Sequence, residues 1–582
     1  MRRLLLSCFA CSAVACGAAT SAHKDAGTDA GNDDTMDAGD TGPDAGMDAG
    51  PQVEPNPYCT ALQLPTAAFI PGSNGLYRGD VAPDFTLPLF GDAGTWQFSA
   101  GFTGCDSYVF VTDAQTVSSI NGTPLANSTD WSGLISSKAS SAGVLPPTNV
   151  HYFFISVNPS ASQAAKIDAL VAQQIATALA KAPNASVWQS KLHVVAGNAQ
   201  SLQSPIGTLT TGWGALGFAI DRRQVYRGVG FLSDVTRLDA ATQADAGWGY
   251  LGNLAYLANE TVYMNAQAVQ QARLDSEGAM IVSLLDGGVL SDGYFNFDAT
   301  LPSAGDLGAY DSLEVEVTQH CPDPTAIEGN SCGPWDYIAN LDVDDPSVPY
   351  NPDAGYSYVE VARFITSYHR ETHWVVDATP MLARLASGGL RHFQWSWAPS
   401  WNMQPTGTTV DLRFFNQNKG YRPEALLPLW TDSDQFSQTY DMNHPPVTVS
   451  IPSDATRTEL WMIITGHGSD AHECCEFCNH EHLFTVNGGG SFLVQFPEAG
   501  TEQECIPEQA NGMTPNQGGT WWYGRGGWCP GEQVDPHVFD VTSLVQPGQS
   551  ATVTLEGKFQ GGGPPLNGGG DVDFQSELVV YH

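Results

Sequence analysis

The chain has 582 residues, 42% of them hydrophobic and 10% aromatic, and its 62 acidic against 23 basic side chains give a formal charge of -39. Such a length exceeds one hydrophobic core and implies several domains, and 61 glycines, 37 prolines and 15 tryptophans point to a β-rich, loop-rich protein. A surface this acidic repels phosphate backbones and anionic lipid headgroups, which argues against nucleic acid as a partner.

Residues 1–16 form an export signal: Arg2 and Arg3, a short apolar run to Val14, and the small residues Ala13-Val14-Ala15. Cys16 follows directly, so a freely secreted chain and a bacterial periplasmic or outer-membrane lipoprotein are both open. No later stretch approaches the ~20 apolar residues of a membrane span, so a lipid on Cys16 is the expected membrane contact. Export also decides how the 12 cysteines are read, because thiols oxidise there. Three (Cys8, Cys11 and Cys16) lie in the leader, and the nine left are an odd number, so one is expected to stay free. Residues 17–58 repeat Asp-Ala-Gly at 25–27, 29–31, 37–39, 44–46 and 48–50. So many like charges and so few apolar groups predict a disordered, self-repelling linker.

Residues 59–255 alternate strand and helix signals. Tyr108-Val109-Phe110-Val111, 151–157 and Leu192-His193-Val194-Val195 read as buried strands, 161–180 as a helix, and 217–230 as a hairpin. Gly79-Asp80-Val81-Ala82-Pro83-Asp84-Phe85 and Ile220-Asp221-Arg222 resemble the thioredoxin-like, redoxin-type domains. The resemblance implies an α/β fold without its redox chemistry, since Thr112-Asp113-Ala114-Gln115 stands where a Cys-x-x-Cys belongs. Cys59 and Cys105 are expected to form a structural bridge.

From residue 260 onward, short alternating segments such as Ser312–Val317, Thr409–Phe414, Glu459–Ile464 and Ala551–Leu555 are separated by Gly, Pro, Asn and Asp clusters. That pattern predicts sandwiches or jelly rolls, and ~320 residues suit two: one over 260–422 and one over 423–582. Pro423–Pro446, poor in strand signals, is the expected connection.

Two constellations in this half carry chemistry. In the first, Cys332-Gly333-Pro334-Trp335-Asp336 and Cys474-Cys475-Glu476-Phe477-Cys478 each set an acid beside thiols and an aromatic ring, and Trp521-Trp522-Tyr523-Gly524-Arg525-Gly526-Gly527-Trp528 adds a cation among aromatic faces. Acids on disulfide-stapled loops suit acid/base work, because burial against tryptophan raises a carboxyl pKa. The bland account, a turn cap, a loop residue and core tryptophans, is equally open on residue types alone. The second constellation crowds His467, Asp470, His472, Cys474, Cys475, Cys478, His480 and His482 into sixteen positions, a density that could hold zinc or copper.

The order of these motifs decides between them. Residues 295–582 resemble the peptide-N-glycosidase F family through Cys321…Cys332-Gly333-Pro334-Trp335-Asp336-Tyr337, Val361-Ala362-Arg363-Phe364-Ile365-Thr366, Cys474–Cys478…His482 and Arg525-Gly526-Gly527-Trp528-Cys529-Pro530-Gly531. The resemblance implies two jelly rolls side by side, disulfides Cys321–Cys332, Cys474–Cys478 and Cys505–Cys529, and Cys475 as the odd thiol. It makes Asp336 and Glu476 the catalytic acids, has Arg525 steady substrate oxygens, and gives Trp335, Trp397 and Trp528 to the glycan. It implies no metal and no cofactor, and N-glycosylated proteins or peptides as partners of a monomer. One family acid is missing, with Trp395 in its place, and Tyr337 replaces an arginine. The expected function is an exported amidase releasing N-linked glycans. A glycan-binding surface protein with a decayed site, or a copper-dependent monooxygenase built on similar paired jelly rolls, are the alternatives.

Overall fold

A computed structural model describes residues 57–582 apart from 65, 92–93, 113–118, 121–122, 125–134, 136–145, 183, 213–216, 239–249, 354 and 469–473. The export signal, nearly all of the linker, Asp113, Asp470 and His472 therefore lie outside the described residues.

The N-terminal half is built on a five-stranded sheet in the order Leu192–Asn198, Val150–Ser156, Ser107–Thr112, Gly217–Ile220, Tyr226–Gly228. The first three strands are parallel and the last two antiparallel. Strand Ser107–Thr112 is buried on both faces, as a parallel strand covered from two sides must be. Helix Ala161–Leu179 links two of the parallel strands and turns Ala164, Val171, Ile175 and Ala178 inward. Cys59 and Cys105 are bonded.

A second long helix, Leu257–Ser276, has no counterpart in the sequence analysis. Its buried residues include Leu257, Ala258 and Met264 but also Asn259, Glu260, Thr261 and Asn265. Leu257, Ala258 and Met264 share a core with Val109, Tyr152 and Trp188 of the α/β half, and with Tyr368, Met513, Trp521 and Trp522 of the C-terminal half.

Two antiparallel eight-stranded sandwiches follow. The first pairs Met280–Leu290, Thr406–Phe415, Ser312–His320 and Thr372–Asp377 in one sheet with Tyr294–Ser303, Gly388–Ser396, Ile338–Asp344 and Tyr358–Ile365 in the other. Period-two alternation places each side chain: Leu313, Val315 and Val317 enter the core, while Glu314 and Glu316 face out to Arg273 and Arg413. The second sandwich sets Pro423–Gln435, Asp571–Tyr581, Arg457–His467 and His537–Asp540 against Val447–Ser450, Ser550–Lys558, Glu481–Val486 and Gly490–Gln495.

The expected connection at 423–446 is overturned in its first part. Pro423–Gln435 is a 13-residue strand paired with Asp571–Tyr581. It tolerates Pro423 and Pro428 because it is an edge strand, with its register broken between Pro428 and Thr431.

Strand Arg457–His467 joins the two sandwiches. Leu460, Met462 and Ile464 point into its own core, whereas Trp461 and Ile463 on the opposite face belong to the core of the first sandwich. That two-sided burial explains why its sequence reads as an unbroken apolar run. Arg363 adds a polar pin across the same junction, donating to Thr465 Oγ1 at 2.7 Å and to the Asp573 carbonyl at 2.9 Å while paired with Glu360.

Candidate active site

Asp336 lies four residues beyond the Cys321–Cys332 bridge and two before strand Ile338–Asp344. Thr366, just past strand Tyr358–Ile365, clamps the peptide on both sides of it. Its hydroxyl donates to the Trp335 carbonyl at 2.8 Å and accepts from the Tyr337 N–H at 2.7 Å. Glu476 sits inside the Cys474–Cys478 loop, held by its N–H on the Gly468 carbonyl at 2.9 Å, and its carbonyl accepts from Gly526 N–H at 2.8 Å. Arg525 is carried by the loop that Cys505–Cys529 ties down. Each of the three is thus within four residues of a disulfide, which limits the conformations that its loop can sample.

These residues, up to 189 positions apart in the chain, meet. Arg525 Nη2 lies 3.3 Å from Asp336 Oδ2 and Nε lies 3.4 Å from Glu476 Oε1. The guanidinium is fully buried, while the Asp336 and Glu476 side chains keep 12% and 21% of their surface exposed. Its remaining donors are taken by the Thr520 and Tyr523 carbonyls, at 2.9 and 2.7 Å, and by Thr520 Oγ1 at 3.0 Å. Phe477 and Trp528 lie against it, with ring centroids 5.2 and 5.0 Å away. Arg525 therefore orients the two acids and has no N–H left for a substrate oxygen, which corrects the role expected from the resemblance. His480 Nε2 explains Gly526: a Cβ there would lie 2.3 Å from it.

One positive charge between two carboxylates leaves the trio one charge negative, and that favours holding a proton. Burial raises Asp336, opposed by Arg525 and by the Tyr368 hydroxyl beside it. Burial likewise pushes Glu476 up to about 7, opposed by Arg525 and helped by the Asp336 charge. If ionised Glu476 is the working form, kcat/KM should rise about tenfold per pH unit below pH 7 and level off above it. Glu476→Gln should erase that limb; an unaltered limb in the variant would assign the titration elsewhere.

The aromatic residues are distributed differently from the expectation. Trp335, next to Asp336 in the chain, is 48% exposed. Trp397 and Trp528, both expected to contact sugar, are buried at 2% and 6% exposure. Trp397 is fixed in the sandwich core by its N–H on the Gln404 carbonyl at 2.7 Å. Trp528 is held between Arg525 and His467, whose ring stacks at 5.0 Å, and donates to the Gly466 carbonyl at 2.8 Å. The exposed rings near Asp336 are Trp335, Tyr337 in part, and Trp401, which is 79% exposed and 6.0 Å from Tyr337. Trp395, in place of the family's additional acid, is a core residue packed on Phe364.

The described residues of the metal-like stretch have other partners. Cys474 and Cys478 are bonded to each other, and Cys475 is buried and free of a disulfide. His480 Nδ1 lies 2.7 Å from His482 Nε2, and His482 Nδ1 lies 3.0 Å from the Tyr440 hydroxyl. Burial pushes His480 down to about 3 and His467 to about 4, so both are neutral packing groups. Sequence reasoning missed Thr366, Tyr368, Thr520 and Trp401. Thr366 closes a motif already noted in the sequence, but nothing in its spacing announces the clamp.

Parts of the chain are similar to known proteins. Residues 435–563 match the family model described as peptide-N-glycosidase F, C terminal. Over 286 residues the chain is 24% identical to peptide-N(4)-(N-acetyl-beta-D-glucosaminyl)asparagine amidase F of Elizabethkingia miricola, covering 46% of this chain and 72% of that one. Among solved structures, PNGase F, a glycosylasparaginase from Flavobacterium meningosepticum, is 20% identical with a TM-score of 0.38, covering 52% of this chain and 95% of that one. PNGF-II is 13% identical with a TM-score of 0.38, covering 64% and 75%. The family model and the sequence relative support the peptide-N-glycosidase F family.

Proposed function

We propose that the chain is an exported amidase that cleaves the amide bond between an asparagine side chain and a sugar, acting on N-glycosylated proteins or peptides. The observation that carries this is the convergence of Asp336 and Glu476 on one buried guanidinium, beside exposed Trp335. Its support outside the geometry is the similarity to an amidase of that name.

In the proposed reaction the Asp336 carboxylate takes a proton from water as the water oxygen adds to the amide carbonyl carbon. The C–N bond then breaks, and the nitrogen leaves on the sugar with that proton, so the peptide keeps an aspartate. Ionised Glu476 accepts a hydrogen bond from the second O–H of the water, which stays on that oxygen, and fixes its direction of attack. Arg525 keeps the acids apart and aligned. Trp335 and Trp401 offer flat apolar faces to the sugar rings. The expected result is oligosaccharide release from a denatured N-glycoprotein, with conversion of asparagine to aspartate at the vacated site. Retention of every glycan between pH 5 and 9 would defeat the proposal.

The binding-only alternative rests on Trp395, which supplies no acid and lies in the core. It predicts saturable glycopeptide binding without turnover. We read the sheet order of residues 59–255, three parallel strands and two antiparallel, as thioredoxin-like, and the two sandwiches as jelly rolls. In this reading the α/β half is a brace, because Tyr256, Leu257 and Val229 share a core with Trp521 and Trp522 of the Arg525 loop.

A further inference from the structure

We propose that Asp432, Asp434 and His444 form a binding site for one divalent transition-metal ion of the zinc type, on the second sandwich and separate from the acid pair. One ligand atom from each lies within 4.8 Å of the other two. Asp432 and Asp434 alternate on the edge strand Pro423–Gln435, opposite Phe574 and Val572 of the neighbouring strand. Both of those partners belong to the sandwich core. The two carboxylates therefore sit on the face that ought to be apolar. Among the described residues, the ion-pairing partner within 4 Å of either is His444 and no lysine or arginine. Asp432 keeps 33% of its side chain exposed, and a cation between the two acids would offset their mutual repulsion.

His444 is prepared for the task. Its side chain is fully buried, and Nδ1 is 2.7 Å from the Tyr440 carbonyl, to which it can only donate. That bond leaves Nε2 to face the acids. A histidine that anchors one nitrogen on a backbone carbonyl and offers the other is the common arrangement of a metal ligand. Nε2 lies 3.2 Å from Asp432 Oδ1. A charge-assisted hydrogen bond is usually 2.7–2.9 Å, whereas two ligands each ~2.1 Å from a tetrahedral zinc are about 3.4 Å apart. The observed spacing lies between the two. One imidazole with two carboxylates is a borderline donor set, which favours zinc over calcium or magnesium. The fourth position would fall to water.

Such an ion is structural. It joins the end of the edge strand to the short helix Tyr440–Asn443, and Tyr440 hydroxyl, His482 and His480 continue as a hydrogen-bonded line whose last ring packs behind Gly526. Binding would stiffen the floor beneath the Arg525 loop.

The test uses the full chain, stripped with a chelator and titrated with zinc chloride at pH 7 by calorimetry and by equilibrium dialysis with metal analysis. One zinc per chain is expected, with a rise in Tm and no competition from millimolar magnesium. Asp434→Asn and His444→Gln should each weaken binding at least tenfold while the near-ultraviolet circular dichroism stays that of the wild type. Bound cobalt, whose visible absorption reports its ligand geometry, should lose that absorption in both variants. No stoichiometric zinc would reduce the trio to an imidazolium–carboxylate pair, and wild-type affinity in both variants would place the ion elsewhere. Either result overturns the assignment.

Discussion

Asp336→Asn is expected to lower kcat for glycan release by about a thousandfold, roughly 4 kcal/mol of barrier, with KM within about threefold of the wild type. The substitution keeps the shape of the side chain and an oxygen that can accept from Arg525 Nη2, so the clamp made by Thr366 on either side of residue 336 stays in place. What it removes is the proton acceptor. It also removes one of the two negative charges beside Arg525, so Glu476 in the variant should titrate lower than the value near 7 that burial and Asp336 give it. Two readouts therefore move together: turnover collapses, and the acid limb of the residual activity shifts towards lower pH. A merely structural role for Asp336 would instead lower Tm and leave turnover per folded molecule near that of the wild type, while the limb would still shift because the charge is gone. Residual activity within tenfold of the wild type would refute the assignment of Asp336 as the base.

The meeting of Asp336 and Glu476 was legible through the cysteines and aromatic ring near each, and the bridges Cys321–Cys332 and Cys474–Cys478 are present. Strands such as Ser312–His320 were legible through period-two alternation, which depends only on one face being buried. Helix Leu257–Ser276 was not, for a physical reason. Wedged between the α/β half and the sandwiches, its first half is buried nearly all round and solvent reaches it mainly at Val269, Arg273, Asp275 and Ser276, while its buried Asn259, Glu260 and Asn265 find partners in distant segments. The strand Pro423–Gln435 was hidden by prolines that an edge position tolerates. The burial of Trp397 and Trp528 was not legible, because a tryptophan's residue type does not say whether its face meets sugar or protein. Trp401, among the described residues the ring most open to solvent, has no motif around it.

Arg370→Met is expected to destabilise the chain by about 3–5 kcal/mol, with Tm lower by about 10 °C. Arg370 is buried where three segments meet. It pairs with Glu260 of helix Leu257–Ser276 at 2.7 Å and with Glu328 at 2.6 Å, four residues before Cys332, and donates to the Pro515 carbonyl at 2.6 Å. Asn516 adds to the same knot, donating to Glu260 Oε1 at 3.0 Å. Both carboxylates are nearly sealed from water, at 2% and 6% side-chain exposure, so methionine leaves two uncompensated buried acids. They must take up protons or draw water in, and either costs more than the packing that methionine restores. Replacing all three, Arg370→Met with Glu260→Gln and Glu328→Gln, should recover most of the loss, since a neutral set of similar volume carries no desolvation penalty. That recovery distinguishes buried charge from lost shape: a triple variant as unstable as the single one would mean that Arg370 acts through packing alone. The same knot fixes the segment entering Cys332 and the one leading to Trp521, so Arg370→Met should also lower kcat below its own Tm. An activity per folded molecule equal to the wild type would show that the α/β half braces the fold but not the acids.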